Sequence, residues 1–302
     1  MIELQKLDTE KRNAQTTHID KMSTIDMLSV INEEDHKVAD AVKEVLPEIA
    51  QAVDIVYDKL RNGGRLIYCG AGTSGRLGVL DAVECPPTYG VDHGLVVGLI
   101  AGGEGAMFKA VEGAEDNPKL GQHDLEQLNL SDRDILVGIA ASGRTPYVIG
   151  AMKYARSIGC PIICVVCSRN SEMSRYADVC IAPIPGPEVI TGSSRMKSGS
   201  AQKMVLNMIS TGAMIKLGKV YGNLMVDVKC SNAKLQQRAI NIVREATGVD
   251  ADTAQKALLD SGSSCKTAIV MLLLDVDAET ARAALSRSGG HISDAIAQRQ
   301  EG

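Results

Sequence analysis

The chain has 302 residues, 45% of them hydrophobic and 23% charged, with a formal net charge of −5. That length and balance suit a globular protein with a substantial core and exclude wholesale disorder. The acidic excess excludes the basic face that nucleic-acid binding needs; with no Trp and Phe108 as the lone Phe, stacking platforms for bases are scarce as well.

Eight cysteines (Cys69, Cys85, Cys160, Cys164, Cys167, Cys180, Cys230 and Cys265) suit the small buried hydrophobes of a reducing compartment, not a disulfide framework. Cys164 and Cys167 form a C-x-x-C inside the apolar run Ile162–Val166. Residues three apart on a strand point to opposite faces, so no metal site is expected there. Met1-Ile2-Glu3-Leu4 lacks the basic stretch and apolar core of a signal peptide, and the apolar runs fall short of a membrane span. A cytoplasmic protein with neither a membrane nor a nucleic-acid partner is expected.

Residues 1 to 20 are polar and read as an extended arm that packs on something else. From Thr24 to Leu60 apolar positions recur at three and four residues, the period of a helix, with a break near Pro47. Asn62-Gly63-Gly64 is a turn, and Arg65–Cys69 a buried strand. Further strands are expected at Leu95–Ala101, Asp134–Ala140, Ile162–Cys167 and Val179–Ala182. Helices are expected between them near Leu77–Glu84, Gly105–Asp116, Pro146–Ile158 and Ser171–Tyr176. This alternation predicts an α/β fold, a parallel sheet with helices on both faces. Gly199–Leu217 reads as a long, largely buried helix, suited to an interface. Beyond Val228 come short helices, Leu235–Thr247, Asp252–Asp260, Cys265–Leu274 and Ala278–Ser286, with Asp250 and Asp277 as N-caps. The expected organisation is an N-terminal arm with helices over 1–54, an α/β domain over 55–230 and a small all-helical domain over 231–302.

Three glycine- and hydroxyl-rich loops stand out. Gly70-Ala71-Gly72-Thr73-Ser74-Gly75-Arg76 satisfies the dinucleotide pattern G-x-G-x-x-G between strand and helix. However, the second strand runs into Ala101-Gly102-Gly103, with Glu104 only beyond, so the acid that would read a ribose is not where that pattern needs it. Thr73 and Ser74 instead add hydroxyls that suit a monophosphate at a helix N-terminus. Ala141-Ser142-Gly143-Arg144-Thr145-Pro146 repeats the arrangement, with Pro146 in the first helical turn. Thr191-Gly192-Ser193-Ser194-Arg195 is a third such cluster. Each loop alone reads as a helix cap plus a turn. Several at successive strand ends converge on one edge of an α/β sheet and favour a phosphate site built from Gly72, Thr73, Ser74, Ser142, Gly143, Arg144, Thr145, Ser193 and Ser194.

Glu84 is expected in the last turn of its helix, stopped by Pro86-Pro87, and Glu112, Glu115 and Asp116 at the end of the next. A carboxylate in a last turn faces the negative end of the macrodipole, which suits a proton donor. By residue pattern alone, a solvated acidic face explains these groups more simply.

The segments Thr9–Asn13, Gly64–Gly78, Asp81–Thr88, Ile100–Gly103, Glu112–Asp116, Gly138–Tyr147, Gly186–Ser193, Ala201–Lys203 and Lys219–Asp227 together resemble the N-acetylmuramic acid 6-phosphate etherase family, of the sugar-isomerase (SIS) superfamily. The likeness covers nearly the whole chain and is weakest in the C-terminal helices; Ala14 and Ser194–Gly199 are small departures from the family pattern. It implies the SIS fold with a ubiquitin-associated-like C-terminal bundle, and a homodimer with the sugar-phosphate site at or near the subunit interface. It further implies conversion of N-acetylmuramate 6-phosphate and water to N-acetylglucosamine 6-phosphate and D-lactate, with no metal or organic cofactor and with Glu84 and Glu115 as the acid–base pair. Two other readings remain: an aldose–ketose isomerase of sugar phosphates on the same fold, and a non-catalytic sugar-phosphate sensor related to the vertebrate glucokinase regulatory protein. Only the etherase releases lactate.

Overall fold

The computed structural model describes residues 8–228 and 232–300. The expected domain boundary at 230/231, Cys230 and the Met1–Leu4 segment lie outside the described residues. The chain forms two compact units, one of Met1–Val83 with Gly94–Ser210, the other of Glu84–His93 with Thr211–Gly302.

The first unit is built on five parallel strands: β1 (Leu66–Gly70), β2 (Val96–Ile100), β3 (Ile135–Ile139), β4 (Ile162–Val165) and β5 (Val179–Ile181), in the order β2-β1-β3-β4-β5. β1, β3 and β4 are buried at every position, as strands covered on both faces must be, so they appear in sequence as unbroken apolar runs. The helices of this unit are α1 (Thr24–Lys43), α2 (Leu46–Arg61), α3 (Gly72–Tyr89), α4 (Pro118–Gln127), α5 (Pro146–Ser157) and α6 (Lys197–Lys216). α3 and α6 each continue into the second unit. Glycine sets the closest approaches. A side chain on Gly98 of β2 would meet Val79 Cα at 2.5 Å, and side chains on Gly121 and Gly150 would meet the Tyr147 and Pro118 carbonyls at 2.0 Å, where α4 crosses α5.

Three expectations fail here. Pro86 and Pro87 do not stop α3, which runs on to Tyr89. They remove two amide donors, but the Gly90 N–H still reaches Pro86 O at 3.0 Å, and the helix ends at Gly90, whose φ is +65°. The expected helix Gly105–Asp116 is only a 3-10 turn, Glu104–Met107, followed by isolated turns, because Gly102, Gly103 and Gly113 all adopt positive φ. The helix belongs instead to α4, where Asn117 accepts from the Lys119 and Leu120 amides and Pro118 opens the first turn. Ser171–Tyr176 likewise reduces to a 3-10 turn at Met173–Arg175. Cys164 lies opposite Cys180 on the neighbouring strand. Burial pushes the Cys69 and Cys167 thiols up to about 12, which leaves both inert at neutral pH.

The N-terminal arm is pinned by Asn13 Nδ2, which donates to Pro187 O at 3.2 Å, and by Thr16 Oγ1, which donates to Val189 O at 2.7 Å. Beneath it lies a buried ion pair. Lys197, 0% exposed, donates through Nζ to Glu34 Oε2 at 2.6 Å and to Pro185 O at 2.9 Å.

The second unit carries a short antiparallel pair, β6 (Val220–Tyr221) and β7 (Leu224–Met225), which the sequence did not announce. The expected all-helical part is α7 (Ala233–Thr247), α8 (Ala251–Asp260), α9 (Cys265–Leu274), α10 (Ala278–Arg287) and a further α11 (Ile292–Gln300) around Val243, Ala254 and Ile269. Asp250 and Asp277 are the N-caps expected, accepting from the Thr253 and Thr280 amides. Among the described residues no single helix is long and apolar enough to cross a membrane.

Burial raises the Glu34 carboxyl, but hydrogen bonds from Lys197 and Lys37 and the charge on Lys197 outweigh it, leaving it below its usual 4.5. Its contribution is therefore whole above about pH 4.5 and lost as the pH falls through the lower folded value. Lys197→Met takes away that carboxylate's buried partner, leaves it only the solvent-exposed Lys37, and should cost up to about 3–5 kcal/mol of urea-unfolding free energy at pH 7; adding Glu34→Gln should recover part of it.

Candidate active site

β1 ends at Gly70 and α3 starts at Gly72, so the first loop is one sharp turn. Gly72 has a φ of +52°. A side chain on Gly70 would meet Gly75 N at 2.7 Å, and one on Gly75 would meet Gly70 O at 2.7 Å, so strand end and helix start touch backbone to backbone. The free amides of the helix start thereby open at the carboxyl end of the sheet. The hydroxyls divide. Ser74, 7% exposed, donates to Gln202 Oε1 on α6 at 2.9 Å. Thr73 is half-buried without a side-chain hydrogen bond among the described residues, and a side chain on Gly199 would lie 3.4 Å from its methyl group.

The second loop opens beside the first, because β3 is the neighbour of β1. Gly143 has a φ of +64°, and a side chain there would strike Ser171 Cβ at 2.4 Å. Thr145 is the N-cap of α5 but does not cap with its hydroxyl. Ser142 and Arg144, half-buried and exposed, make no side-chain hydrogen bond among the described residues. The third loop, with Ser193 and Ser194 half-buried, leads into α6, but the amides of that helix start already hold an anion. Glu188, 0% exposed, accepts from Lys197 N and Ser198 N at 2.9 Å each.

α3 is bolted to α6 by Asp81, which accepts from Tyr68 Oη at 2.8 Å, Asn207 Nδ2 at 2.7 Å and Ser210 Oγ at 3.1 Å. Burial pushes its carboxyl up against the opposing pull of those three bonds.

A cavity of about 350 Å³ opens at the start of α3, at the small end of the range for ligand sites. Its wall includes Ala71, Gly72 and Arg76 from the strand end and α3, and Ala106, Val111, Glu112, Gly113, Glu115 and Asp116 from the stretch after β2. Of the residues expected in the site, Gly72 and Glu115 line it. Glu115 is exposed at its side chain but fixed at its backbone, whose carbonyl accepts from Tyr147 N at 2.9 Å in the first turn of α5. Glu84 is exposed, lies in the second unit and is not among the lining residues; with α3 running on to Tyr89, it is not in a last helical turn either. The glycine and hydroxyl pattern of the loop assigns no role to Arg76. The signal was present, since it follows Gly72 by four residues and so shares its helix face. Its guanidinium donates through Nε to Met107 O at 3.0 Å and through Nη2 to Ala106 O at 2.7 Å.

Ser74→Ala strands the buried Gln202 amide, whose Nε2 is already without a partner. It should cost about 1–3 kcal/mol in urea unfolding, whereas Ser142→Ala, which breaks no bond, should stay within about 0.5 kcal/mol.

The family model for the SIS domain matches residues 118–211, that for the glucokinase regulatory protein N-terminal SIS domain matches 48–156, and that for the C-terminal lid domain of glucokinase regulatory protein matches 222–284. A phosphoheptose isomerase from Francisella tularensis superposes with a TM-score of 0.52 at 17% identity, over 64% of this chain and 100% of its own. Another from Neisseria gonorrhoeae gives 0.50 at 16%, over 63% and 98%. Likeness at these identities is one of fold. Far nearer in sequence are the N-acetylmuramic acid 6-phosphate etherase of Pectobacterium atrosepticum, 57% identical over 98% of this chain and 97% of its own, and that of Yersinia pestis, 61% identical over 88% and 90%. Identity at this level over almost the whole length of both partners makes this chain a member of the N-acetylmuramic acid 6-phosphate etherase family.

Proposed function

We propose that this protein cleaves the D-lactyl ether of N-acetylmuramate 6-phosphate with water, giving N-acetylglucosamine 6-phosphate and D-lactate. The observation that carries the reading is the 57% identity with an etherase over 98% of the chain. An unactivated ether resists hydrolysis, but ring opening exposes an aldehyde that makes the C2 proton acidic. A carboxylate takes that proton, the C3–O bond breaks as the lactyl oxygen is protonated, and a C2–C3 double bond forms. Water then delivers hydroxide to C3 and a proton returns to C2. The sum is redox-neutral and every step moves a proton or an oxygen, so the chemistry calls for no cofactor. Glu84 is assigned to the lactyl oxygen, and Glu115 to the C2 proton or the water. Residues 72–74 and 142–145, with Ser193 and Ser194, are assigned to the 6-phosphate, whose clamping holds the open chain for reaction.

The active protein is proposed to be a cytoplasmic homodimer. Leu80 and Val83, 45% and 57% exposed on the turn before Glu84, are apolar surface of the kind a second copy would cover. A sugar-phosphate sensor is the second reading, favoured by the two matches to glucokinase regulatory protein domains.

The test is a D-lactate assay on purified protein with N-acetylmuramate 6-phosphate. Wild type should release lactate, and Glu84→Gln and Glu115→Gln should each lose about 10²–10⁴-fold in kcat while still binding N-acetylglucosamine 6-phosphate. Binding without lactate release by the wild type supports the sensor instead, and full activity in either variant removes that glutamate from the mechanism.

A further inference from the structure

The cavity at the start of α3 has an unbalanced wall. Glu112, Glu115 and Asp116 put three carboxylates on it, against one cation, Arg76. Such a wall repels anions, yet the ether substituent of the proposed substrate ends in a carboxylate. Something must receive it.

We propose that Arg76 is the specificity residue that receives the lactyl carboxylate, an inference that rests on the etherase reading. The guanidinium is held but not neutralised. Its Nε and Nη2 donate to Met107 O at 3.0 Å and Ala106 O at 2.7 Å, which are carbonyls, not charges. It forms no ion pair with any of the three wall carboxylates. Two of five N–H donors are used, both on the Nε side of the fork. The Nη1–Nη2 edge stays open, and that edge matches a carboxylate with two parallel hydrogen bonds. The two carbonyls also fix the fork before any ligand arrives, so less side-chain freedom is lost on binding. Arg76 stands one helical turn beyond Gly72, at whose amides the phosphate is assigned, and both line the same cavity as Glu115. One helix start thus reads both anionic ends of the substrate, in a cavity that the Glu115 carboxylate also lines. The product, N-acetylglucosamine 6-phosphate, has lost the lactyl group and with it this contact, which favours its release.

The test compares equilibrium binding and turnover for three ligands: N-acetylmuramate 6-phosphate, its lactamide analogue with the carboxylate replaced by a neutral amide, and N-acetylglucosamine 6-phosphate. Wild type should bind the acid about 10- to 100-fold more tightly than the amide. In Arg76→Gln that ratio should collapse towards one, with N-acetylglucosamine 6-phosphate binding unchanged within twofold. Arg76→Lys should restore part of the ratio, as a point charge without the fork, and covers the case in which the glutamine variant does not fold. A wild-type ratio near one overturns the proposal. So does an equal loss of affinity for all three ligands in the variants, which would assign Arg76 to the phosphate or to the 104–107 turn. If the wild type binds these ligands but releases no lactate, the etherase reading fails while the acid-to-amide ratio still decides the role of Arg76.

Discussion

The site depends on one contact, the backbone-to-backbone seating of the first turn of α3 on the end of β1. Gly70 and Gly75 leave no room for a Cβ between strand and helix. The seating continues along the helix, where a side chain on Gly78 would meet Tyr68 Cβ at 2.9 Å. Because strand and helix cannot slide at this separation, the amides at Gly72 and the side chain of Arg76 have fixed places relative to the sheet. Asp81 then anchors the same helix to α6. A helix start fixed to the sheet in this way is a preorganised anion site, which needs little rearrangement when ligand binds.

The rest of the cavity wall is made differently. The stretch from Gly102 to Asn117 has too many positive-φ glycines to form a helix, and it takes its shape from contacts with its neighbours. Arg76 holds its beginning through the carbonyls of 106 and 107, and Tyr147 holds its end through the carbonyl of Glu115. The position of Glu115 therefore depends on α4 crossing α5 closely enough to bring that amide into reach, which Gly121 and Gly150 permit.

Much of this was legible in the sequence. The five strands were, because sheet interiors covered on both faces leave apolar runs that turn residues bracket. The caps Asp250 and Asp277 were too, because a capping carboxylate acts three residues along the chain. Elsewhere one local signal carries two meanings. Asn117-Pro118, just past the helix expected over Gly105–Asp116, starts a helix instead, and Pro86-Pro87 does not stop α3 because a helix near its end tolerates lost donors. Long-range pairings left no local mark. Lys197 and Glu34 are 163 residues apart, and the carboxylate of Glu188 fills a helix start that the sequence offered as a phosphate site. The hydroxyl of Ser74, expected to face a ligand, is bonded to Gln202, a partner that only the folded chain supplies.

The proposed reaction is elimination followed by hydration at adjacent carbons of a clamped, open-chain sugar phosphate. Isotope placement tests it most directly. With N-acetylmuramate 6-phosphate in H₂¹⁸O and D₂O, mass spectrometry and NMR of the products should find ¹⁸O on C3 and deuterium on C2 of the amino sugar, with lactate keeping its original oxygen. Oxygen-18 in the lactate, or a C2 that retains its hydrogen throughout, would contradict the account.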